Sequence, residues 1–188
     1  MPCLVMKFGG TSVANLDRIR QAAERIKLEV IQGYQIIVIV SAMSGKTNEF
    51  VEWVNETSNL YDTQEYDAVV SSGENITAGI MALTLQEMDI SAQSWQGWQV
   101  PVQTTDMHSN ARIEEIPTKN LEASFANGVQ VAVVAGFQGV SPRGRITTLG
   151  RGGSDTTAVA FAAAFKAERC DIFTDVDGIY TTDPRIST

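Results

Sequence analysis

"CLVMKFGGTSVANLDRIRQAAERI", residues Cys3–Ile26, decides the fold class. The apolar run Cys3-Leu4-Val5-Met6 reads as a short buried strand that continues to Phe8. Behind it, Leu16, Ile19, Ala22, Ala23 and Ile26 recur at helical spacing, with Thr11 or Ser12 placed to cap the helix start. Lys7 therefore stands where a strand hands over to a helix. Gly9 and Gly10 allow a sharp turn and close approach of backbone to a ligand. The unpaired N–H groups of a helix start attract anions. Two readings follow: a phosphate cradle, or a glycine turn with a lysine reaching to solvent.

The same alternation runs along the rest of the chain. A helix near Ser12–Gln32 ends at Gly33, and Ile36–Val40 is the next buried strand. "SAMSGKTNEF" (Ser41–Phe50) is a loop entering a helix that turns Phe50, Val51 and Val54 inward. One long helical pattern spans Val69 to Met88, carrying Ile76, Ile80, Met81, Leu83 and Leu85. Weaker strand-like pieces cover Ala92–Trp95 and Trp98–Val102, and a helix near Thr118–Ala126 stops at Asn127-Gly128. Val131–Ala135 is a third strongly buried strand, and "TTLGRGGSDTTAVAFAAAF" (Thr147–Phe165) is a glycine loop feeding an alanine-rich helix. "CDIFTDVDG" (Cys170–Gly178) is a last strand and turn. Continuous apolar strands alternating with helices predict an α/β fold whose mostly parallel sheet is covered on both faces. Ligands in such folds bind beyond the carboxyl ends of the strands. The polar stretches after Phe8, Val40, Ala135 and Thr174 are then expected to converge on one crevice.

At 188 residues, 44% hydrophobic and 19% charged, the chain can bury one sizeable core. Its net charge of −8 argues against a nucleic-acid or anionic-membrane partner, since both favour basic patches. Small anions need only local positive charge. Two cysteines, Cys3 and Cys170, make no disulfide framework and fit a reducing, cytoplasmic setting. The Met1 end lacks the regions of a signal peptide, and no apolar run is long enough to span a bilayer.

Three familiar phosphate or metal motifs fail here. "SGKT" at Ser44–Thr47 lacks the P-loop's first glycine, whose place is taken by Val40. "GRGGSD" has Asp155 in place of the third glycine of a dinucleotide fingerprint. "DVDG" at Asp175–Gly178 lacks the later glutamate of a calcium loop and reads as a turn. What remains is Gly150, Gly152 and Gly153 around Arg151, with Ser154 or Asp155 starting a helix. A flexible backbone, a guanidinium and a helix start favour a carboxylate or phosphate over an ordinary cap with a surface arginine. Glu74, in "SSGENITAG", sits amid apolar helix and needs a partner if buried. That partner is either a ligand ammonium or another side chain.

Taken together, seven stretches resemble the aspartokinases of the amino-acid-kinase superfamily. They are "KFGGTSVA" (Lys7–Ala14), "VSAMSGKTN" (Val40–Asn48), "SSGE" (Ser71–Glu74), "TTD" with "ARI" (Thr104–Asp106, Ala111–Ile113), "VAGFQG" (Val134–Gly139), "TTLGRGGSDTTAVA" (Thr147–Ala160) and "TDVDGIYTTDPR" (Thr174–Arg185). They run in family order over nearly the whole chain. The resemblance implies a three-layer αβα sandwich, C-terminally incomplete, with residues 1–188 forming an amino-acid-kinase catalytic domain. It implies phosphorylation of the L-aspartate side-chain carboxylate by ATP to 4-phospho-L-aspartate, a first step toward lysine, threonine and methionine. Glu74 then suits the substrate ammonium, and Arg151 with Ser154 the α-carboxylate. Ser41 and Thr47 orient the reacting group. Lys7 lies on the ATP phosphates, while Gly9 and Gly10 bring backbone donors near. A carboxylate acceptor is already ionised at neutral pH, so Asp155 is expected to organise Lys7 or Mg²⁺, itself held mainly through ATP phosphates. Thr174, Asp175, Tyr180, Asp183 and Arg185 are expected around the nucleotide. His108, the sole histidine, is expected to be structural.

Aspartokinases continue beyond the last of these motifs with a further lysine segment that contacts ATP and with paired ACT domains. The sequence is therefore read as a kinase-domain fragment, with open sheet edges that favour self-association into a homo-oligomer. The expectation is poor catalysis, with ATP binding hurt more than aspartate binding. The alternatives are a catalytically silent ligand-binding or assembly fragment, or a sister carboxylate kinase acting on another amino acid.

Overall fold

A computed structural model describes residues 1–150 and 152–174. Its main sheet consists of β1 (Cys3–Phe8), β2 (Gln35–Val40), β3 (Ala92–Trp95), β6 (Val131–Ala135) and β9 (Arg169–Phe173). All neighbouring pairs are parallel, in the order β3-β6-β2-β1-β9. Side chains alternate between the two faces along each strand. Leu4, Met6, Phe8, Ile36, Val38 and Val40 meet the helices α1 (Leu16–Ile31) and α4 (Ser72–Glu87) on one side. Val5, Ile37, Ile39, Ala132 and Val134 meet α5 (Lys119–Ala126) and α6 (Gly153–Ala164) on the other. The result is the expected three-layer sandwich. The alternation also puts Lys7 on the face that carries α6, which fixes its later partner.

The sequence reading needs four corrections. The first helix begins with a short 3₁₀ turn, Gly10–Val13, and α1 is capped by the side chain of Asn15, which accepts from the Arg18 amide, not by Thr11 or Ser12. Leu16, at its first position, is 51% exposed. The pattern from Val69 to Met88 is two helices, α3 (Thr63–Val70) and α4, parted at Ser71. The Ser71 carbonyl also accepts from the Gln138 side chain at 2.9 Å, which ties the junction of the two helices to β7 (Gln138–Val140). Trp98–Val102 is a set of turns closed by the Gln96 and Gly97 carbonyls, although Val100 and Val102 are fully buried. In α2 (Lys46–Thr57), Phe50 and Val54 are buried as expected, whereas Val51 is half-buried.

A second sheet was not anticipated. It orders β5 (Ile113–Glu115), β4 (Gln103–Thr104), β7 (Gln138–Val140) and β8 (Ile146–Thr148). It is mixed, with β4 parallel to β7 and the outer pairs antiparallel. No helix among the described residues is long and apolar enough to cross a membrane.

Candidate active site

The ends of β1, β2, β6 and β9 open onto a cavity of about 420 Å³. Lys7, Gly9, Gly10, Ser41, Thr47, Glu74, Ser154, Asp155 and Thr174 all line it. Residues separated by most of the chain therefore meet at the carboxyl edge of a parallel sheet. Two glycines at its rim, Gly45 and Gly152, have φ of +82° and +77° and start α2 and α6. Only a residue without Cβ adopts that backbone without strain. Both turns aim a helix N-terminus at the cavity mouth.

Lys7 is 7% exposed at the end of β1. Its Nζ lies 2.6 Å from Oδ1 of Asp155, in the first turn of α6. That oxygen has no aligned hydrogen-bond donor, so the contact is a close ion pair and not a directed bond. The Asp155 side chain is half exposed, so the pair opens to the cavity on one side. The Gly9 amide is spent on the Phe173 carbonyl at 3.3 Å, so it is not the free backbone donor anticipated.

Glu74 occupies the opposite wall, 3% exposed in the first turn of α4. One carboxyl oxygen accepts from the Ala42 amide at 3.0 Å, while the other is buried with no protein partner. Burial pushes its pKa up to about 7, against the opposing pull of the Ala42 amide. A buried carboxylate with one free oxygen facing a cavity is built to receive a cationic donor.

Arg151, Asp175, Tyr180, Asp183 and Arg185 lie outside the described residues. His108 is not at the cavity: its Nδ1 sits 2.6 Å from Asp67 Oδ2, behind the small sheet. Two participants were missed. The Ala42 amide positions Glu74, a backbone role that carries no sequence signal. Phe137 lines the cavity with φ of +67°, wedged so that a Cβ on Gly153 would come 2.7 Å from its ring. Its place directly behind the β6 strand was the available clue. A wider groove of about 970 Å³ lies beyond Asp155, lined by Arg112, Glu115, Thr156 and Val159. The predicted residues do not gather there.

The profile of the amino acid kinase family matches residues 2–188. The chain belongs to the amino acid kinase family. Among the family's curated members, the aspartokinase of Rickettsia felis is 53% identical over 189 residues, covering 99% of this chain and 47% of that protein. The aspartate kinase of Synechocystis superposes with a TM-score of 0.81 at 45% identity, over 97% of this chain and 30% of that one. E. coli aspartokinase III, solved with aspartate and ADP, gives 0.83 at 30% identity, over 97% of this chain and 51% of that one. The chain spans about half the length of the curated relatives it matches.

Proposed function

We propose that this chain carries the substrate-binding and phosphoryl-transfer groups of an aspartate kinase, with residues 1–188 belonging to one catalytic domain. The observation that carries the reading is the single cavity with a lysine at one wall and a buried, half-satisfied carboxylate at the other. L-Aspartate offers a matching set of groups. Its ammonium meets the free oxygen of Glu74, and its α-carboxylate meets Ser154 together with Arg151. Ser41 and Thr47 then orient the side-chain carboxylate toward the ATP γ-phosphoryl group. One oxygen of that carboxylate attacks phosphorus, the bond to the ADP oxygen breaks, and 4-phospho-L-aspartate forms. Since the nucleophile is already an anion, the protein's work is alignment and charge stabilisation. Lys7 supplies the charge, with Gly10 at the turn beside it and Asp155 holding the ammonium in place.

The nucleotide side draws on Thr174, with Asp175, Tyr180, Asp183 and Arg185. Asp155 is half exposed, with Oδ1 buried against the Lys7 ammonium, which leaves its second oxygen for an ion carried mainly by ATP phosphates. Mg²⁺ so held would neutralise phosphate charge. Kinship supports the same reading, since the E. coli relative is named for its complex with aspartate and ADP. We place the protein in the cytoplasm, a reducing setting that suits the free thiols of Cys3 and Cys170. Self-association is supported by the edge positions of β3 and β9 among the described strands.

Hydroxylamine trapping tests the reaction. The chain with ATP, Mg²⁺ and L-aspartate is expected to yield aspartyl hydroxamate. Hydroxamate from glutamate or N-acetylglutamate but not aspartate would reassign the acceptor. No product with any carboxylate, alongside tight aspartate binding, would favour the silent-module alternative.

A further inference from the structure

Asp67, in α3, is fully buried, yet it lies outside the cavity and has no part in the proposed chemistry. Its carboxylate gathers donors from distant parts of the chain. The Ser109 amide reaches both oxygens at 3.0 and 3.1 Å. His108 Nδ1 lies 2.6 Å away, and the Thr148 hydroxyl donates from the end of β8. A carboxylate accepts only, so Nδ1 carries the hydrogen. Ser109 has φ of +62°, a conformation costly for a residue with a side chain. Such strain persists where the surroundings over-determine it, and it clusters near functional sites.

What this knot holds lies on the path to the cavity. Thr148 stands two residues ahead of Gly150. Its carbonyl accepts from the Ala111 amide at 2.9 Å, and the Leu149 amide donates to the Phe137 carbonyl at 2.8 Å. The Asn110 side-chain oxygen packs so closely that a Cβ on Gly150 would lie 2.5 Å from it. Residues 108–111 thus form a brace against the entry to the glycine loop, and that loop delivers Gly152, Gly153, Ser154 and Asp155 to the cavity wall. On the outer side, Arg143 Nε lies 3.0 Å from Asp106 Oδ2, while His108 Nε2 is buried without a hydrogen-bond partner, so the hold on the ring is the contact with Asp67.

We propose that Asp67 and His108 are positioning residues that set the glycine loop for recognition of the amino-acid substrate. The substrate arm of this proposal rests on the aspartate reading above. It predicts a larger effect on aspartate than on nucleotide, because the braced loop carries Ser154 to the amino-acid side and reaches the phosphate side only through the contact of Asp155 with Lys7.

The test uses the 188-residue chain with His108→Leu, which removes the donor to Asp67, and His108→Asn, which restores a short amide donor. Thr148→Val repeats the perturbation from β8 and serves where the leucine variant does not fold. Without ligand, the amide NMR signals of Gly150, Gly152 and Gly153 are expected to shift in the leucine or valine variant and to return toward wild type in the asparagine variant. Calorimetry with L-aspartate and with MgADP is run separately. Aspartate affinity is expected to fall at least tenfold, MgADP affinity to stay within about twofold, and asparagine to recover most of the loss. Unmoved glycine signals would overturn the brace. Equal losses for both ligands, or a moved loop with unchanged aspartate affinity, would overturn its selective role. A wild-type chain that binds no aspartate would instead sink the substrate reading, and the NMR comparison would still decide the brace.

Discussion

Glu74→Gln is the perturbation with the sharpest consequence. The wild-type carboxyl has its pKa raised from 4.5 to about 7 by burial. The unfolded chain releases this proton near the ordinary value, while the folded chain holds it until about pH 7. Between those values the folded state binds more protons, so the group's contribution to stability falls as pH rises. Its stabilising effect is whole below about pH 4.5 and gone above about pH 7. At about 1.4 kcal/mol per pH unit, the full swing is about 3 kcal/mol. Glutamine keeps an oxygen for the Ala42 amide and carries no charge, so it removes the swing. Urea unfolding from pH 5 to pH 8 should therefore show the variant gaining on wild type by about 3 kcal/mol at the upper end. Ligand binding should run the other way. An incoming ammonium requires the ionised form, so wild-type affinity for aspartate should rise roughly tenfold from pH 6 to pH 8. The glutamine variant should bind weakly throughout. Parallel stability curves for the two proteins would refute the burial argument, and a flat aspartate affinity in wild type would refute the assignment of the free oxygen.

Two further substitutions probe the neighbouring walls. Lys7→Ala should lower turnover roughly a hundredfold or more, because it removes charge from the phosphate side; calorimetry should find aspartate binding largely kept, and near-normal turnover would dismiss the role. Gly73→Ala adds a methyl group 2.6 Å from the Ala42 Cβ, and the overpacking, about 1–3 kcal/mol, should outweigh a helix-propensity gain of about 1 kcal/mol. A lower urea midpoint and weaker aspartate binding are the expected readings, since Ala42 also carries the amide that holds Glu74.

The main sheet was legible because its strands are long and apolar enough to announce themselves. Val5, Ile37 and Val133 all sit in runs that nothing but a doubly covered parallel sheet accommodates. The small sheet was not. Gln103–Thr104 and Ile146–Thr148 are too short to show a period, and their buried members are threonines: Thr104 and Thr147 share a hydroxyl hydrogen bond, and Thr148 donates to Asp67. The cavity residues could be placed at strand ends and helix starts from local pattern alone. Their partners could not. The Ala42 amide, the left-handed Phe137 and the knot at Asp67 arise from contacts between segments 20 to 81 positions apart, which periodicity does not report.

The pairing of Lys7 with Asp155 shows how the site keeps a charge ready without locking it. A lysine at 7% exposure would pay a large desolvation cost if left alone. A fully buried partner would remove that cost but would compete with any incoming phosphate, because a dry ion pair is strongly coupled. Asp155 lies between these cases: Oδ1, the oxygen against Nζ, is buried and offsets the cost, while the rest of the side chain is half in solvent and leaves the pair open to the cavity. Phosphate oxygens reaching the same ammonium can therefore share it with Asp155. The strand alternation that puts Lys7 on the α6 face, and the glycine turn at Gly152 that starts α6 beneath it, are what make this arrangement available.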